Sequence, residues 1–425
     1  MDIKKLYQLY QTHPVITTDS RNCPEGSIFL ALKGASFNGN QFAAQALEKG
    51  CAYAIVDEAE YKGNDSRIIL VDDCLQTYKD LAREHRRQFA IPVIGITGTN
   101  GKTTTKELIK SVLETELNVM ATEGNFNNDV GVPKTLFRLN SEHQIAVVEM
   151  GASHPGDIKT LVETAEPTCG LITNVGRAHL LGFGSFEGVI RTKGELYDFL
   201  RDHGGKLFIN SDNAYLMQMN HGFSSVSTYG QQGTPDVKGE VVDCSPFLTF
   251  RWNGREVHTH LIGAYNLDNM LAAITVGLTF GITEDHIVEA LERYVPTNNR
   301  SQLTVTATNR LIVDAYNANP TSMAAAIDNF KLMTADRKMV ILGMMGELGD
   351  VSAEEHRKIV AMLQEAQFDE TWLVGAEFEK VESGFRTFPD VEAVKQELTA
   401  KKPEGLTILI KGSNSTHLYE LPPLL

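Results

Sequence analysis

The stretch TGTNGKTTT, residues 97–105, determines how this chain is organised. It follows an apolar run, residues 91–96, that is long enough for one buried strand. After it, apolar residues recur at helical spacing across residues 106–117. A strand, a Gly-rich turn and a helix in this order predict a loop that binds phosphate groups.

The residues of this loop suit a nucleoside triphosphate. Backbone N–H groups from Gly98 to Gly101 can point into one concavity, and the helix start adds partial positive charge. Lys102 would reach the β- and γ-phosphates, and the Thr103 hydroxyl would bind Mg²⁺. The glycine spacing departs from the standard pattern, which has its first Gly where this chain has Ile96. The alternative is a Gly-rich turn with a surface lysine, and the loop alone does not identify a reaction.

Composition excludes several classes of protein. A chain of 425 residues is too long for one ordinary core, so we expect two to four domains. The net charge of −15 and the lack of a basic stripe argue against a nucleic-acid partner. No apolar run approaches the roughly 20 residues of a membrane span, and the N-terminus does not resemble a signal peptide. The five scattered cysteines, without a C-x-x-C pair, predict a reducing, cytoplasmic location.

The order of predicted strands and helices indicates three α/β domains. Residues 1–89 form a small unit whose last helix ends in the basic turn His85-Arg86-Arg87. In residues 90–298, apolar strands alternate with helices, which predicts a mostly parallel sheet with an antiparallel patch at 225–262. The pattern restarts in residues 299–425, where it predicts a second, doubly wound (Rossmann-like) sheet. Ligands of such sheets bind at the carboxyl ends of the strands.

Two candidate residues follow strands of the middle domain. Glu149 ends an apolar strand, where a carboxylate is a usual Mg²⁺ ligand, although a solvated loop carboxylate is the alternative. His179 follows another strand end, but a lone histidine is more often structural. Lys193 precedes Glu195 by two residues, and these neighbours alone predict that it lies on a solvated surface.

Two more candidates lie in the last domain. Asp314 ends a strand, and it can accept hydrogen bonds from a ribose or serve as a helix N-cap or turn residue. The residues alone do not decide between these roles. Asn317 and the dipeptide Asn319-Pro320 read as turn chemistry.

Several motifs occur together in a fixed order: EMG at 149–151, NVGRAHL at 174–180, TKGE at 192–195, YNLDNMLAA at 265–273 and DAYNANPTSM at 314–323. With TGTNGKTTT and the opening DSR-x-x-x-x-G-x-I-F-x-A-L-x-G at 19–34, they resemble the Mur ligase family of ATP-dependent peptidoglycan-precursor amide ligases. The resemblance covers essentially the whole chain. DAYNANPTSM and KGSNSTHL at 411–418 are most similar to the member that adds D-alanyl-D-alanine to UDP-N-acetylmuramoyl-tripeptide.

The resemblance implies a role for each domain and for named residues. The first domain would bind the UDP part of the acceptor, the middle domain ATP, and the last domain ADP and the incoming amine. Catalysis would use Lys102, Glu149, His179 and Lys193. The nucleotide would be bound by Gly98, Thr99, Asn100, Gly101, Lys102, Thr103, Thr104, Asn266, Asn269, Arg300 and Asp314. The other substrates would be bound by Ser20, Arg21, Lys33, Gly34, Asn125, Asn127, Asn128 and Asn317.

The resemblance also implies two Mg²⁺ ions, held by Thr103, Glu149, His179 and Lys193. Lys193 matches the family lysine that is carbamylated, a change that converts a cation into a carboxylate-like ligand. The chain would act as a monomer. It departs from the family pattern at Tyr265, where His is frequent, and in the last domain at Asn299 (usually Gly) and Asn414 (usually Arg).

The implied reaction makes an amide from a carboxylate and an amine. Transfer of the γ-phosphoryl group makes an acyl phosphate, and the amine then displaces phosphate. We expect the last domain to close over ATP, since both reactive species must be kept from water. The alternatives are a superfamily member that adds another amino acid or acts on folate, a phosphate-loop switch ATPase, and a catalytically silent scaffold.

Overall fold

The computed structural model describes residues 2–296 and 302–425, and its first domain carries a four-stranded parallel sheet. The sheet order is β1-β2-β5-β6, and β3 and β4 form a separate antiparallel hairpin. The strands are β1 (Ile16–Thr17), β2 (Ile28–Leu30), β3 (Lys33–Gly34), β4 (Phe37–Asn38), β5 (Tyr53–Val56) and β6 (Ile68–Leu70). The helices are α1 (Ile3–Thr12), α2 (Ala43–Glu48) and α3 (Cys74–Arg86).

The middle domain has a nine-stranded sheet in the order β15-β14-β13-β12-β11-β10-β7-β9-β8. Its strands are β7 (Val93–Thr97), β8 (Val119–Ala121), β9 (Ile145–Glu149), β10 (Cys169–Ile172), β11 (Lys206–Asn210), β12 (Val226–Gly230), β13 (Val237–Asp243), β14 (Thr249–Trp252) and β15 (Arg255–His258). Only the β13-β14-β15 end pairs antiparallel. The prediction of a mostly parallel sheet with an antiparallel patch is confirmed.

Helices cover both faces of this sheet. They are α4 (Lys102–Leu113), α5 (Gly131–Leu136), α6 (Asp157–Ala165), α7 (Leu180–Phe183), α8 (Phe186–Asp202), α9 (Ala214–Met219), α10 (Asn266–Thr279) and α11 (Glu284–Arg293). Strand residues alternate between the faces. Ile94 and Ile96 therefore pack in the core that contains α4 and α10, whereas Val93 packs in the core that contains α6 and α8. The strand before the phosphate loop is buried on both sides.

The last domain has a six-stranded sheet in the order β16-β17-β21-β18-β19-β20, with only β16 antiparallel. Its strands are β16 (Gln302–Val305), β17 (Arg310–Asp314), β18 (Lys338–Gly343), β19 (Glu370–Val374), β20 (Arg386–Phe388) and β21 (Thr407–Lys411). Its helices are α12 (Pro320–Leu332), α13 (Ser352–Ala366), α14 (Ala376–Glu379) and α15 (Val391–Ala400). The predicted boundary at 298/299 lies outside the described residues. Within residues 2–296 and 302–425, no helix is long and apolar enough to cross a membrane.

The topology brings the predicted strand-end residues to one place. In the middle domain, β7 lies between β9 and β10, so the phosphate loop, Glu149 and the segment after Ile172 meet at one edge. In the last domain, β17 pairs with β21, which places Asp314 opposite Lys411. The carboxyl ends of both sheets face a shared cleft, as expected for open α/β sheets.

Candidate active site

A cleft of about 780 Å³ lies between the middle and last domains, and we call it the central cleft. Most of the predicted nucleotide and metal residues line it, together with three asparagines from the loop after β8. The predicted residues in its lining are Thr99, Asn100, Gly101, Lys102, Thr103, Thr104, Asn125, Asn127, Asn128, Glu149, His179, Asn266, Asn269, Asp314 and Asn317. Residues distant in sequence therefore form one concave surface.

The phosphate loop needs glycine at two positions. Gly98 has a φ of +143°, and a Cβ there would lie 2.0 Å from the Thr173 hydroxyl oxygen. Gly101 has a φ of +80°, and a Cβ there would lie 2.7 Å from the Asn269 side-chain oxygen. Neither backbone conformation nor space admits a side chain. Both glycines let the loop pack against β10 and α10.

The N–H groups of the loop are not all available to a phosphate. Those of Thr99 and Asn100 donate to the carbonyl and side-chain oxygens of Asn174, each at 3.0 Å. The prediction that N–H groups from Gly98 to Gly101 share one concavity is therefore wrong for these two. The N–H groups at the start of α4 stay available, because the first turn of a helix has no intrahelical acceptors for them. Lys102 Nζ donates to the carbonyl oxygens of Gly98 (2.8 Å) and Thr99 (3.1 Å).

Glu149 is the buried carboxylate of the cleft. Its Oε1 accepts hydrogen bonds from Thr103 Oγ1 at 3.2 Å and from Asn127 Nδ2 at 2.8 Å. Its Oε2 is buried and has no hydrogen-bond partner among residues 2–296 and 302–425. A buried carboxylate oxygen without a partner costs free energy, and a cation would remove that cost. Thr103 and Glu149 therefore fit a divalent cation bound through oxygen atoms.

His179 and Lys193 lie on one side of the loop. His179 has a left-handed backbone (φ +51°), and its Nδ1 pairs with Glu347 of the last domain. Burial lowers the pKa of the His179 imidazole, and the Glu347 carboxylate opposes this shift. The Lys193 side chain is 2% exposed, and its Nζ has the Ala152 carbonyl oxygen at 3.5 Å.

Burial, reinforced by the nearby Lys102, holds the pKa of Lys193 well below its usual range. The interpretation of Lys193 as part of a solvated face is thus wrong. Within residues 2–296 and 302–425, no cluster of three or more His, Cys, Asp and Glu side chains has the arrangement of a metal site.

Asn266 and Asn269 are locked into a buried network. Asn266 Nδ2 donates to the Ile262 carbonyl, and Asn269 Nδ2 donates to Asn266 Oδ1, both at 2.8 Å. Thr105 of α4 donates to Asn269 Oδ1 at 3.0 Å. The two asparagines therefore fasten α10 to the phosphate-loop helix. Tyr265, which precedes them, is 38% exposed and lines the cleft.

The last domain contributes an ion pair that the sequence did not predict. Asp314 Oδ2 accepts from Lys411 Nζ at 2.5 Å, and the same ammonium donates to the Asn317 carbonyl at 3.2 Å. Lys411 is 2% exposed, so Asp314 carries a neutralising partner rather than capping a helix. The sequence feature that could have predicted this ion pair is Lys411 at the end of β21, the strand that pairs with β17. Arg300 lies outside the described residues.

Four predicted substrate residues lie elsewhere. Ser20, Arg21, Lys33 and Gly34 of the first domain are not among the described residues that line the central cleft. Arg21 pairs with Asp19 at 2.9 Å, and Lys33 pairs with Asp57 at 3.1 Å. The structure therefore separates a first-domain group from the asparagines at 125–128.

Comparison with known proteins covers nearly the whole chain. Models described as the Mur ligase family catalytic domain, the Mur ligase middle domain and the Mur ligase glutamate ligase domain match residues 14–86, 96–277 and 299–414, respectively. The UDP-N-acetylmuramoyl-tripeptide–D-alanyl-D-alanine ligase of Synechocystis sp. is 35% identical over 415 residues, which cover 95% of this chain and 90% of that protein.

Solved structures agree. A crystal structure of MurF from Acinetobacter baumannii superposes with a TM-score of 0.87 at 31% identity and covers 99% of this chain and 97% of that one. A MurF ligase from Thermotoga maritima, crystallised with ADP, has a TM-score of 0.87 at 27% identity, with 97% of each chain covered. By sequence and by fold, this chain belongs to the Mur ligase family.

Proposed function

We propose that this chain is an ATP-dependent ligase that joins D-alanyl-D-alanine to UDP-N-acetylmuramoyl-tripeptide and releases ADP and phosphate. Relatives that carry the name of this ligase match over nearly their whole length, and the Thermotoga protein binds ADP. Its product would be a precursor of peptidoglycan.

One observation carries the proposal: the phosphate loop, the unpartnered oxygen of Glu149 and the last-domain residues all face one cleft. A hydrolase needs only the first two. A ligase must also bring an amine to the activated carboxylate, and the last-domain wall at Asn317 offers the surface for it. We place the incoming dipeptide there.

The acyl donor explains why ATP is needed. A carboxylate has no competent leaving group, whereas an acyl phosphate loses phosphate readily. Lys102 would swing from the loop carbonyls to the transferred phosphoryl group and neutralise its charge. The last domain would exclude water from the acyl phosphate until the amine attacks its carbonyl carbon. The C–N bond then forms as the C–O bond to phosphate breaks, and the amine loses its proton.

Mg²⁺ is the cofactor that the donor set fits best. Thr103 and Glu149 would hold it through oxygen atoms, with ATP completing the coordination. When bound, the ion would spread the negative charge that gathers on the phosphoryl oxygens.

For a second ion, we propose His179 and a carbamylated Lys193. Lys193 reacts as the neutral amine, and its addition to CO₂ forms an N–C bond and releases one proton. Support comes from the burial of its amine, whose Nζ lies 3.5 Å from the Ala152 carbonyl oxygen. A carbamate resonance after incubation with ¹³C-bicarbonate, absent from Lys193→Arg, would support this, and a carbamate-free active protein would refute it.

The first domain would hold the UDP part of the acceptor through Ser20, Arg21, Lys33 and Gly34. Asn125, Asn127 and Asn128 would guide its peptide toward the phosphate loop, where Asn127 already contacts Glu149. Asn266, Asn269, Arg300 and Asp314 remain proposed nucleotide residues, and the domain limits 1–89, 90–298 and 299–425 remain proposals. We also propose a monomeric state and a cytoplasmic location, the second of which the five free cysteines support.

The deciding experiment measures phosphate release from ATP and Mg²⁺ with UDP-N-acetylmuramoyl-tripeptide, with and without D-alanyl-D-alanine. We expect release that requires both substrates, and a pentapeptide product by mass spectrometry. Release indifferent to the dipeptide would indicate a switch ATPase, and a product with a different amino acid would indicate another member of the family.

The cation site has its own test. Glu149→Gln should lower the ligation rate at least about a hundredfold and weaken Mn²⁺ binding in the presence of ADP, measured by electron paramagnetic resonance. Thr103→Val should weaken Mn²⁺ binding, whereas Thr103→Ser, which keeps the hydroxyl, should not. Unchanged Mn²⁺ binding by Glu149→Gln would place the ion elsewhere.

A further inference from the structure

The side chain of Asn100 leaves the phosphate loop and reaches the last domain. Asn319 Nδ2 donates to Asn100 Oδ1 at 2.7 Å, and Asn100 Nδ2 lies 3.4 Å from Asn319 Oδ1. The two primary amides thus face each other as complementary donor and acceptor. Asn100 was predicted to bind the nucleotide, and Asn319 was interpreted as a turn residue. In the structure they connect two domains.

Asn319 is held rigidly by its own helix. It is the N-cap of α12, and its Oδ1 accepts from the Ser322 N–H at 2.9 Å while its own N–H donates to Ser322 Oγ at 3.1 Å. The residue is only 3% exposed. A capping box with a buried cap fixes the side-chain rotamer, so the amide cannot follow Asn100 without moving α12.

Asn100 is equally fixed on the other side. Its carbonyl oxygen accepts from Thr173 Oγ1 at 2.6 Å and from Asn174 Nδ2 at 3.1 Å. Nearby, a Cβ at Gly176 would lie 3.0 Å from Thr321 Oγ1, so the first turn of α12 lies directly against the segment after β10. Two rigid elements therefore meet through one amide pair.

We propose that Asn100 and Asn319 are positioning residues that set the last domain in register with the phosphate loop. The pair lies between the loop and the cleft-lining residues 314–325, and a shift there would move the proposed amine site relative to the transferred phosphoryl group. Uncharged amides can do this beside a phosphate site without adding a net charge to it. The inference rests on the proposed ligase function and adds a role for two residues that need not touch a substrate.

Two variants distinguish this positioning role from a contribution to folding stability alone. Asn100→Ala removes the side chain but leaves the backbone bonds to Thr173 and Asn174. Asn319→Ser keeps an N-cap of equal quality but is too short to reach Asn100. Asp390→Ser, an exposed N-cap exchange on α15 of the same domain, is the matched control.

Steady-state kinetics of the full chain are the main test. Each variant should lower kcat about 10- to 100-fold with the KM for ATP changed less than about threefold, because misalignment costs rate while the phosphate contacts remain. The double variant should be no slower than the slower single variant, and the control should match the wild type. Losses that multiply in the double variant, or an unchanged kcat, would overturn the inference.

Small-angle scattering gives a readout that does not depend on ligation. With a non-hydrolysable ATP analogue, the wild type should be more compact than either Asn variant. Equal compaction would overturn the positioning role. A wild type that compacts more than both Asn variants but makes no pentapeptide would instead refute the proposed function and leave the amide pair supported. Thermal unfolding at unchanged temperature would show that both variants are folded.

Discussion

The middle domain meets its two neighbours through contacts of different kinds. Toward the first domain, the end of α3 buries His85 and Arg86. Arg86 donates to four carbonyl oxygens, including Ala165 at 3.1 Å and Phe89 at 2.9 Å. His85 lies between Tyr7 of α1 and the Leu139 carbonyl, each at 3.0 Å. Aromatic rings surround the histidine, and Phe137 stacks on it.

Toward the last domain, the charged contacts are partly exposed, although Ile262 and the Asn319 amide are buried there. Besides the asparagine pair, Arg177 lies 3.7 Å from Glu355, and the Leu181 N–H donates to the Glu347 carbonyl at 3.3 Å. The Leu181 side chain is 71% exposed. Buried groups cannot separate without leaving unsatisfied polar atoms, whereas exposed pairs exchange for water at little cost. The first and middle domains should therefore move as one body, and the last domain should move against them.

Replacement of Arg86 should have the largest effect on the free energy of unfolding. Arg86→Ala leaves buried carbonyls without donors, and we expect it to lower the free energy of unfolding by about 3 kcal/mol. Arg87→Ala, which removes an exposed pair with Glu166, should cost less than about 1 kcal/mol. Urea unfolding measures both. Equal losses would mean that burial does not set the strength of the contacts at the first interface.

His85 should make a smaller contribution, which appears as a pH dependence of the free energy of unfolding. Because a carbonyl only accepts, Nε2 donates to Leu139 and Nδ1 accepts from Tyr7, which requires the neutral ring. Burial lowers the pKa of His85 from 6.5, partly opposed by the bond to the Leu139 carbonyl. Below pH 6.5, His85 therefore binds a proton in the unfolded chain but stays neutral in the folded chain. The contribution of the neutral His85 to the free energy of unfolding is fully present above pH 6.5 and is lost as the pH falls toward the folded pKa.

The variant His85→Gln isolates this contribution. Between pH 6.5 and 5.5, the loss in free energy of unfolding should be up to about 1 kcal/mol smaller in His85→Gln than in the wild type. His203→Gln, at an exposed site, should keep the wild-type slope. An unchanged slope in His85→Gln would show that the histidine is accessible to protons in the folded state.

The smallest effect on stability should come from Arg177. Arg177→Gln removes a long, half-exposed contact with Glu355, so unfolding should change by less than about 0.5 kcal/mol. Its radius of gyration without nucleotide should nevertheless exceed that of the wild type, because fewer contacts hold the last domain. A stability loss as large as that of Arg86→Ala would erase the difference between the two interfaces.

The sequence predicted those features that depend on one local segment. A strand, glycines and a helix around residues 97–105 predicted the loop, and strand ends predicted Glu149 and Asp314 at the cleft. Alternation of strands and helices predicted the mostly parallel sheets. Each of these signals is a pattern within a few residues or a rule of sheet topology.

The sequence did not predict features that depend on a partner from another domain. His85-Arg86-Arg87 reads as a basic helix end, yet two of its three side chains are buried by a neighbouring domain. Asn319 reads as a turn, and nothing within its own segment points to Asn100, 219 positions away. Likewise, only the family resemblance, and not its neighbours, marked the buried Lys193.

The unpartnered oxygen of Glu149 has a consequence for inhibitor design. Because Oε2 is already buried, an apolar compound that fills the central cleft would leave its lone pairs unsatisfied and gain nothing from this atom. A scaffold that directs an amidine or ammonium group at this atom gains a charge-assisted hydrogen bond in a poorly solvated place. Screening hits should therefore be ranked by whether they present a donor to this one atom.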